Sequence, residues 1–178
     1  RACRTVLDIL FHRLTTWLAP VLVFTMEEVW LERFTGEDSS VHLVDFPETP
    51  ASWRDAALAA KWETIRDVRR VVTGALEVQR TAKAIGSSLE AAPVVFVSPE
   101  MMALLETITF EEICITSCVW LSTKPAPEGV FALADVPGVA VEFEPANGAK
   151  CERCWRVLPD VGTHEHPGTC QRCNDALG

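Results

Sequence analysis

The sequence predicts a mainly α fold with a small α/β part, on three observations. Apolar residues recur at helical spacing through 2–18 and 55–84. Between 93 and 143 the pattern changes to short β-branched runs broken by Pro and Gly. The chain then holds two Cys-x-x-Cys pairs, Cys151/Cys154 and Cys170/Cys173, separated by residues 155–169. That spacing lies within the pattern of zinc sites. The expected order is a helical bundle over 1–92, a small α/β layer over 93–146, and a four-cysteine zinc finger over 147–178.

Residues 2–18 read as an amphipathic helix with Cys3, Val6, Leu7, Leu10, Leu14, Trp17 and Leu18 on its apolar face. Pro20 ends it, because the residue before a proline avoids the α region. Thr25-Met26-Glu27-Glu28 reads as a capping box, with Thr25 as N-cap and Phe24 and Val29 as the hydrophobic staple. This second helix runs to about Phe34, and Gly36 stops it. Two helices joined by a short link lie antiparallel. Residues 37–52, with Pro47 and Pro50, read as an extended strap in which His42 is packed or solvated.

The longest helix spans 55–84, with Leu58, Trp62, Ile65, Val68, Val72 and Leu76 on one stripe. Gly74 inside it costs about 1 kcal/mol against Ala, and Gly86 reads as its C-cap. Arg66, Arg70 and Arg80 follow one border of the stripe, with Lys83 near its end. Periodicity alone favours solvated charge with long stems over apolar surface; the functional alternative is an edge that contacts phosphates.

Residues 93–97 read as a strand and 100–105 as a short helix. Ile113 to Leu121 alternates as a strand, with Cys114 and Cys118 as core thiols. Residues 123–138 read as loop, and Val139 to Phe143 as a further strand.

The chemistry explains the knuckles. Two Cys-x-x-Cys turns supply four thiolates, which fill a tetrahedral Zn²⁺ at about 2.3 Å each. No position stays open for water, so the zinc is structural. A redox pair would be single and would sit at a strand-to-helix turn of a βαβ unit. His164 and His166 could replace one cysteine, but beside Pro167-Gly168 they read as solvated loop histidines.

Of the 178 residues 48% are apolar, enough for a core without disulfides, and the net charge is −9. That balance weighs against a general nucleic-acid binder. Near the knuckles Lys150, Arg153, Arg156 and Arg172 are offset by Glu152, Asp160, Glu165 and Asp175, so an RNA contact there must depend on geometry. The cysteine count is odd, seven, and Cys3, Cys114 and Cys118 in apolar surroundings read as buried free thiols, which together argue for a reducing, cytoplasmic compartment. No apolar run reaches the length of a membrane span. The opening Arg1-Ala2-Cys3-Arg4 reads as the inside of a helix and suggests a portion of a longer protein. No Gly-rich phosphate loop, Ser-centred elbow or His-Glu-x-x-His motif occurs.

Three stretches together resemble the C-terminal region of the bacterial isoleucyl-tRNA synthetases, class I. Leu18-Ala19-Pro20-Val21-Leu22-Val23-Phe24-Thr25-Met26-Glu27-Glu28-Val29-Trp30 is similar to the anticodon-binding bundle shared with valyl and leucyl relatives. Ser40-Val41-His42-Leu43 with Phe46-Pro47, and Lys83 to Ala91, are similar to the strap and to the end of the long helix. Cys151-Glu152-Arg153-Cys154-Trp155 with Cys170-Gln171-Arg172-Cys173 looks like the terminal zinc finger, which points to isoleucine. The His-x-Gly-His and Lys-Met-Ser-Lys-Ser signatures of the family's ATP site do not occur in this sequence.

The resemblance implies a monomeric tRNA-recognition portion that holds the anticodon stem-loop of tRNA(Ile), joined to the remainder of the synthetase, with no catalysis of its own. Only the separate catalytic domain would use ATP. Arg66, Arg70, Arg80, Lys83, Arg153, Trp155 and Arg156 are the candidate RNA contacts, and Cys151, Cys154, Cys170 and Cys173 the ligands of one zinc. Two alternatives belong to other classes: a zinc-finger portion of a DNA-repair glycosylase, and a zinc-stapled protein-interaction module.

Overall fold

The computed structural model describes residues 2–178, which form two compact units divided between Asp55 and Ala56. A bundle over 1–92 would join the long helix to the first two. By compactness it groups instead with the sheet.

In the first unit, α1 (Ala2–Leu18) and α2 (Val23–Leu31) follow one another through a turn in which Val21 and Leu22 N–H both donate to Leu18 O. The core is small and aromatic. Phe11 stacks at 6.2 Å on Trp30, which lies 4.4 Å from Phe34, with Ala19 and Val41 buried beside them. Two expectations are corrected here. The stripe from Val6 to Leu18 is exposed, and so is Cys3. The buried face carries Thr15 and Thr16, whose hydroxyls donate to Phe11 O and His12 O, both at 2.7 Å. A threonine bonded to its own helix can be buried without another partner, and an apolar count does not register it.

The capping box at Thr25 does not form either. Thr25 lies inside α2, which starts two residues earlier, and Phe24 is 85% exposed. Met26 N–H donates to Leu22 O, so the helix grows directly from the turn. The predicted extension of α2 to Phe34 is not helical: α2 ends at Leu31, and Glu32 and Arg33 form a turn. Glu27 Oε2 accepts from Ser40 Oγ and Val41 N, both at 3.0 Å, and so ties the strap to α2. The strap carries 3-10 turns at Val41–Leu43 and Ala51–Trp53. His42 Nε2 is 3.2 Å from Val23 O.

In the second unit, α3 (Ala56–Thr81) buries Ile65, Val68, Val71, Val72, Ala75 and Leu76, while Leu58 is exposed. It packs with a four-stranded sheet of order β2-β1-β4-β3, made of β1 (Val94–Phe96), β2 (Trp120–Ser122), β3 (Phe131–Ala132) and β4 (Ala140–Glu142). β1 and β2 are parallel, and the other pairs antiparallel. A parallel pair needs a crossover, supplied here by α4 (Pro99–Leu105) and α5 (Phe110–Cys114). Ser98 caps α4, accepting from Met101 N–H. One core joins α3 to Val95, Val141, Leu105, Phe110 and Cys114.

The predicted strand over 113–121 is therefore mostly wrong. Ile113 and Cys114 close α5, Ile115 turns left-handed at φ 59°, and pairing starts at Trp120. Glu111 and Glu112 in the first turn favour the helix through its dipole. The loop read over 123–138 contains β3, where Phe131 lies over Gly74. A Cβ on Gly74 would come within 2.8 Å of that ring, which explains a glycine inside the helix. Gly86 is not the C-cap of α3. Lys83, at φ 58°, takes that place, its N–H donating to Arg80 O and that of Ala84 to Gln79 O, which is the Schellman arrangement.

Candidate metal centre and nucleic-acid interface

The C-terminal module is a ribbon of β5 (Ala149–Lys150) and β6 (Val157–Leu158), followed by a loop and the short α6 (Gln171–Asp175). The first cysteine pair sits in the ribbon turn, where Trp155 N–H donates to Cys151 O and Cys151 N–H to Arg156 O, both at 2.9 Å. The second pair opens α6, with Cys170 as its N-cap.

The four Sγ atoms of Cys151, Cys154, Cys170 and Cys173 lie within 4.8 Å of one another. Among the described residues, no other group of His, Cys, Asp and Glu side chains is placed to hold a metal ion. Cys154 Sγ and Cys170 Sγ are 3.7 Å apart. Tetrahedral bonds of about 2.3 Å require sulfur separations of about 3.8 Å, so the donor set fits zinc.

Cys170 N–H points at Cys151 Sγ from 3.4 Å, and Arg153 Nη1 at Cys173 Sγ from 3.7 Å. Such donors favour thiolate. Burial pushes the Cys151 thiol up, but the amides of Cys154, Cys170 and Arg153 outweigh it and hold it at about 6. Cys154 is pushed up to about 12, by burial first and then by the thiols around it.

Neither histidine joins the four sulfurs. His164 Nε2 is 3.1 Å from Asp160 Oδ2, and its side chain is largely buried. Asp160 also accepts from Gln171 N–H at 2.7 Å, and this bond, then that of His164, holds its carboxyl below the usual range. The loop between the knuckles is thus anchored to the start of α6, and the histidines are half-buried parts of it.

The candidate RNA-contacting residues divide into two groups in the second unit. On α3, Arg66 Nε donates to Trp62 O, Arg70 pairs with Asp135 at 2.5 Å and Asp67 at 3.2 Å, and Arg80 pairs with Glu77. Exposed pairs of this kind are worth about 0–1 kcal/mol, so a phosphate can compete for them. Lys83 is exposed at the left-handed end of the helix.

On the finger, Trp155 is 61% exposed at φ 65°, with Lys150 Nζ 5.7 Å from its ring. Arg153 turns to the thiolates, and Arg156 turns inward to Ser117 O, with Nη2 at 2.5 Å and Nε at 3.2 Å. Sequence reasoning did not single out Ser117 or pair Lys150 with Trp155; the two-stranded ribbon brings residues 150 and 155 together.

A family profile described as the anticodon-binding domain of tRNA ligase matches residues 1–96. The chain belongs to that family. A second profile, a zinc finger found in FPG and IleRS, matches residues 148–176. The finger is shared by two kinds of protein, so the match over 1–96 is what favours the synthetase reading over the glycosylase one.

The chain is similar to the isoleucine–tRNA ligase of Ruegeria pomeroyi, 64% identical over 179 residues, covering 100% of this chain and 18% of that protein. It is 57% identical over 178 residues to that of Brucella abortus and 50% identical over 179 to that of Agrobacterium fabrum, covering 99% of this chain and 18% of each. The chain thus spans 18% of the length of these relatives and matches their C-terminal part. Among the described residues, no helix is long and apolar enough to cross a membrane.

Proposed function

We propose that this chain is the tRNA-recognition portion of an isoleucine–tRNA ligase and holds the anticodon stem-loop of tRNA(Ile). The observation that carries it is one chain with two matches, an anticodon-binding domain over 1–96 and a zinc finger over 148–176 whose four sulfurs converge. Activation of isoleucine with ATP belongs to the remainder of the ligase, and the chain alone is catalytically silent. The working protein is a cytoplasmic monomer.

One zinc is held by Cys151, Cys154, Cys170 and Cys173. Bound there, it supplies a fixed crosslink between the ribbon and α6. Arg153 offsets negative charge at Cys173, Lys150 lies over the exposed Trp155 ring, and that ring offers a stacking platform for an unpaired base. Arg66, Arg70, Arg80 and Lys83 contact phosphates, the arginines exchanging carboxylate or carbonyl partners for them. Arg156 contributes through Ser117.

The test is a filter-binding titration of the intact ligase and of this chain against tRNA(Ile) and a non-cognate tRNA, with ATP–pyrophosphate exchange measured on both. Cognate-selective binding with no exchange by the chain alone is the expected result. Equal affinity for both tRNAs, or exchange by the chain, overturns the assignment.

A further inference from the structure

Ser117 is fully buried, and its polar atoms engage two segments remote in sequence. Its N–H donates to Ala91 O at 3.1 Å, and its hydroxyl donates to Leu89 O at 2.5 Å. The same hydroxyl accepts from Val157 N–H at 2.6 Å. Its carbonyl accepts both Arg156 Nη2 at 2.5 Å and Arg156 Nε at 3.2 Å. One residue therefore joins the stretch leaving α3 to the first strand after the knuckle. Arg156 closes the link to the metal centre, because its own carbonyl accepts from Cys151 N–H at 2.9 Å.

The charges around this link are paired across it. Glu111 Oε1 lies 3.7 Å from Arg156 Nη2, and Glu112 pairs with Arg172 at 2.5 Å, so both carboxylates of α5 hold arginines of the finger. The Arg156 side chain is 18% exposed. A guanidinium held this way is a poor phosphate ligand, since reaching one would strip a buried carbonyl of two donors.

We propose that Arg156 and Ser117 form a clasp that couples the metal centre to the 85–91 segment and holds the finger and the end of α3 in one frame for tRNA. The proposal rests on the tRNA reading above. Arg156 is then a positioning residue. With the four thiolates bridged by metal, the ribbon turn is fixed and Arg156 stays on Ser117. With them unbridged, the turn loosens, the clasp opens, and Lys150 and Trp155 lose their fixed relation to Arg80 and Lys83. The sheet core does not depend on the clasp.

The experiment uses the intact ligase as wild type, Arg156→Lys and Arg156→Gln, with Ser117→Ala as a second site. Zinc content, amide exchange of peptides covering 85–92 and 117–120, and tRNA(Ile) affinity against salt are measured on each. Arg156→Lys keeps the charge but loses the two-donor fork. It is expected to retain zinc, speed exchange in both peptides about tenfold or more, and weaken tRNA binding by a similar factor. The salt slope of Arg156→Gln is expected to stay unchanged, because no phosphate contact is lost. Stripping zinc from the wild type should reproduce the faster exchange, and stripping the variants should add little.

Unchanged exchange in Arg156→Lys and Ser117→Ala, or in stripped wild type, overturns the clasp. So does faster exchange with unaltered tRNA affinity. A slope reduced by about 0.7 in Arg156→Gln makes Arg156 a direct phosphate contact and also overturns it. Absence of tRNA binding by the wild type sinks the tRNA reading itself, while the exchange data still judge the link between the metal centre and 85–91.

Discussion

Cys154 Sγ and Cys170 Sγ lie 3.7 Å apart across a sequence separation of 16 residues, with no disulfide between them. Both ends are held by backbone: the ribbon of β5 and β6 on one side, the start of α6 on the other. This pair spans the two knuckles at the separation that one tetrahedral ion requires. Elemental analysis of reduced protein purified without chelator should give one zinc per chain. Metal-free protein with native ribbon chemical shifts, or two disulfides by mass spectrometry, would contradict that stoichiometry.

Gly74→Ala tests the packing of α3 on β3. Alanine favours a helix over glycine by about 1 kcal/mol. The added Cβ would meet the Phe131 ring at 2.8 Å, and overpacking of this kind costs about 1–3 kcal/mol. The net change should be destabilising, read as a lower urea midpoint. In a Phe131→Leu background the same substitution should become neutral or stabilising. A midpoint raised by Gly74→Ala in the wild type would refute the contact.

Cys114 gives a pH test. Burial pushes its thiol up to about 12. The native state therefore keeps a proton that the unfolded chain releases above about 8.5. Its contribution to stability is complete below that value and is lost as pH rises toward about 12. Cys114→Ala should flatten this alkaline decline in the urea midpoint. In native labelling at pH 8, exposed Cys3 should react first and Cys114 only on unfolding. Fast labelling of Cys114 would show that the α5 end is open.

Much of this was legible in the sequence, and each miss has its own physical cause. The knuckles, α1, α3, α4, β1 and β4 follow from spacing, period and punctuation over many residues. The strand predicted at 113–121 failed because alternation over Ile113 and Ile115 is also met by a helix that stops at a left-handed Ile115. β3 is two residues long, too short for a period. The buried face of α1 was misread because Thr15 and Thr16 hide their hydroxyls on their own helix. At the finger, composition showed arginines but not their direction. Only the fold reveals that Arg153 faces a thiolate and Arg156 a buried carbonyl.

Trp155→Ala in the intact ligase should keep its zinc, because the ring is exposed and lies near Lys150. If the ring stacks on a base, tRNA affinity should fall by about 1–3 kcal/mol. Loss of zinc before loss of affinity would instead assign the ring to the stability of the knuckle.

In the proposed function the metal-ordered tail serves tRNA recognition and not amino-acid activation. Ligation in such modules contributes about 10–16 kcal/mol to folding, so changing Cys170 and Cys173 together to Ser should unfold residues 147–178 and leave α3 and the sheet intact. The decisive measurement is isoleucyl-adenylate formation and tRNA(Ile) charging on this one variant of the intact ligase, with zinc content determined on the same sample. The expected result is no zinc, adenylate formation near the wild-type rate, and charging reduced through a raised KM for tRNA. Zinc absent with charging at the wild-type rate would contradict it.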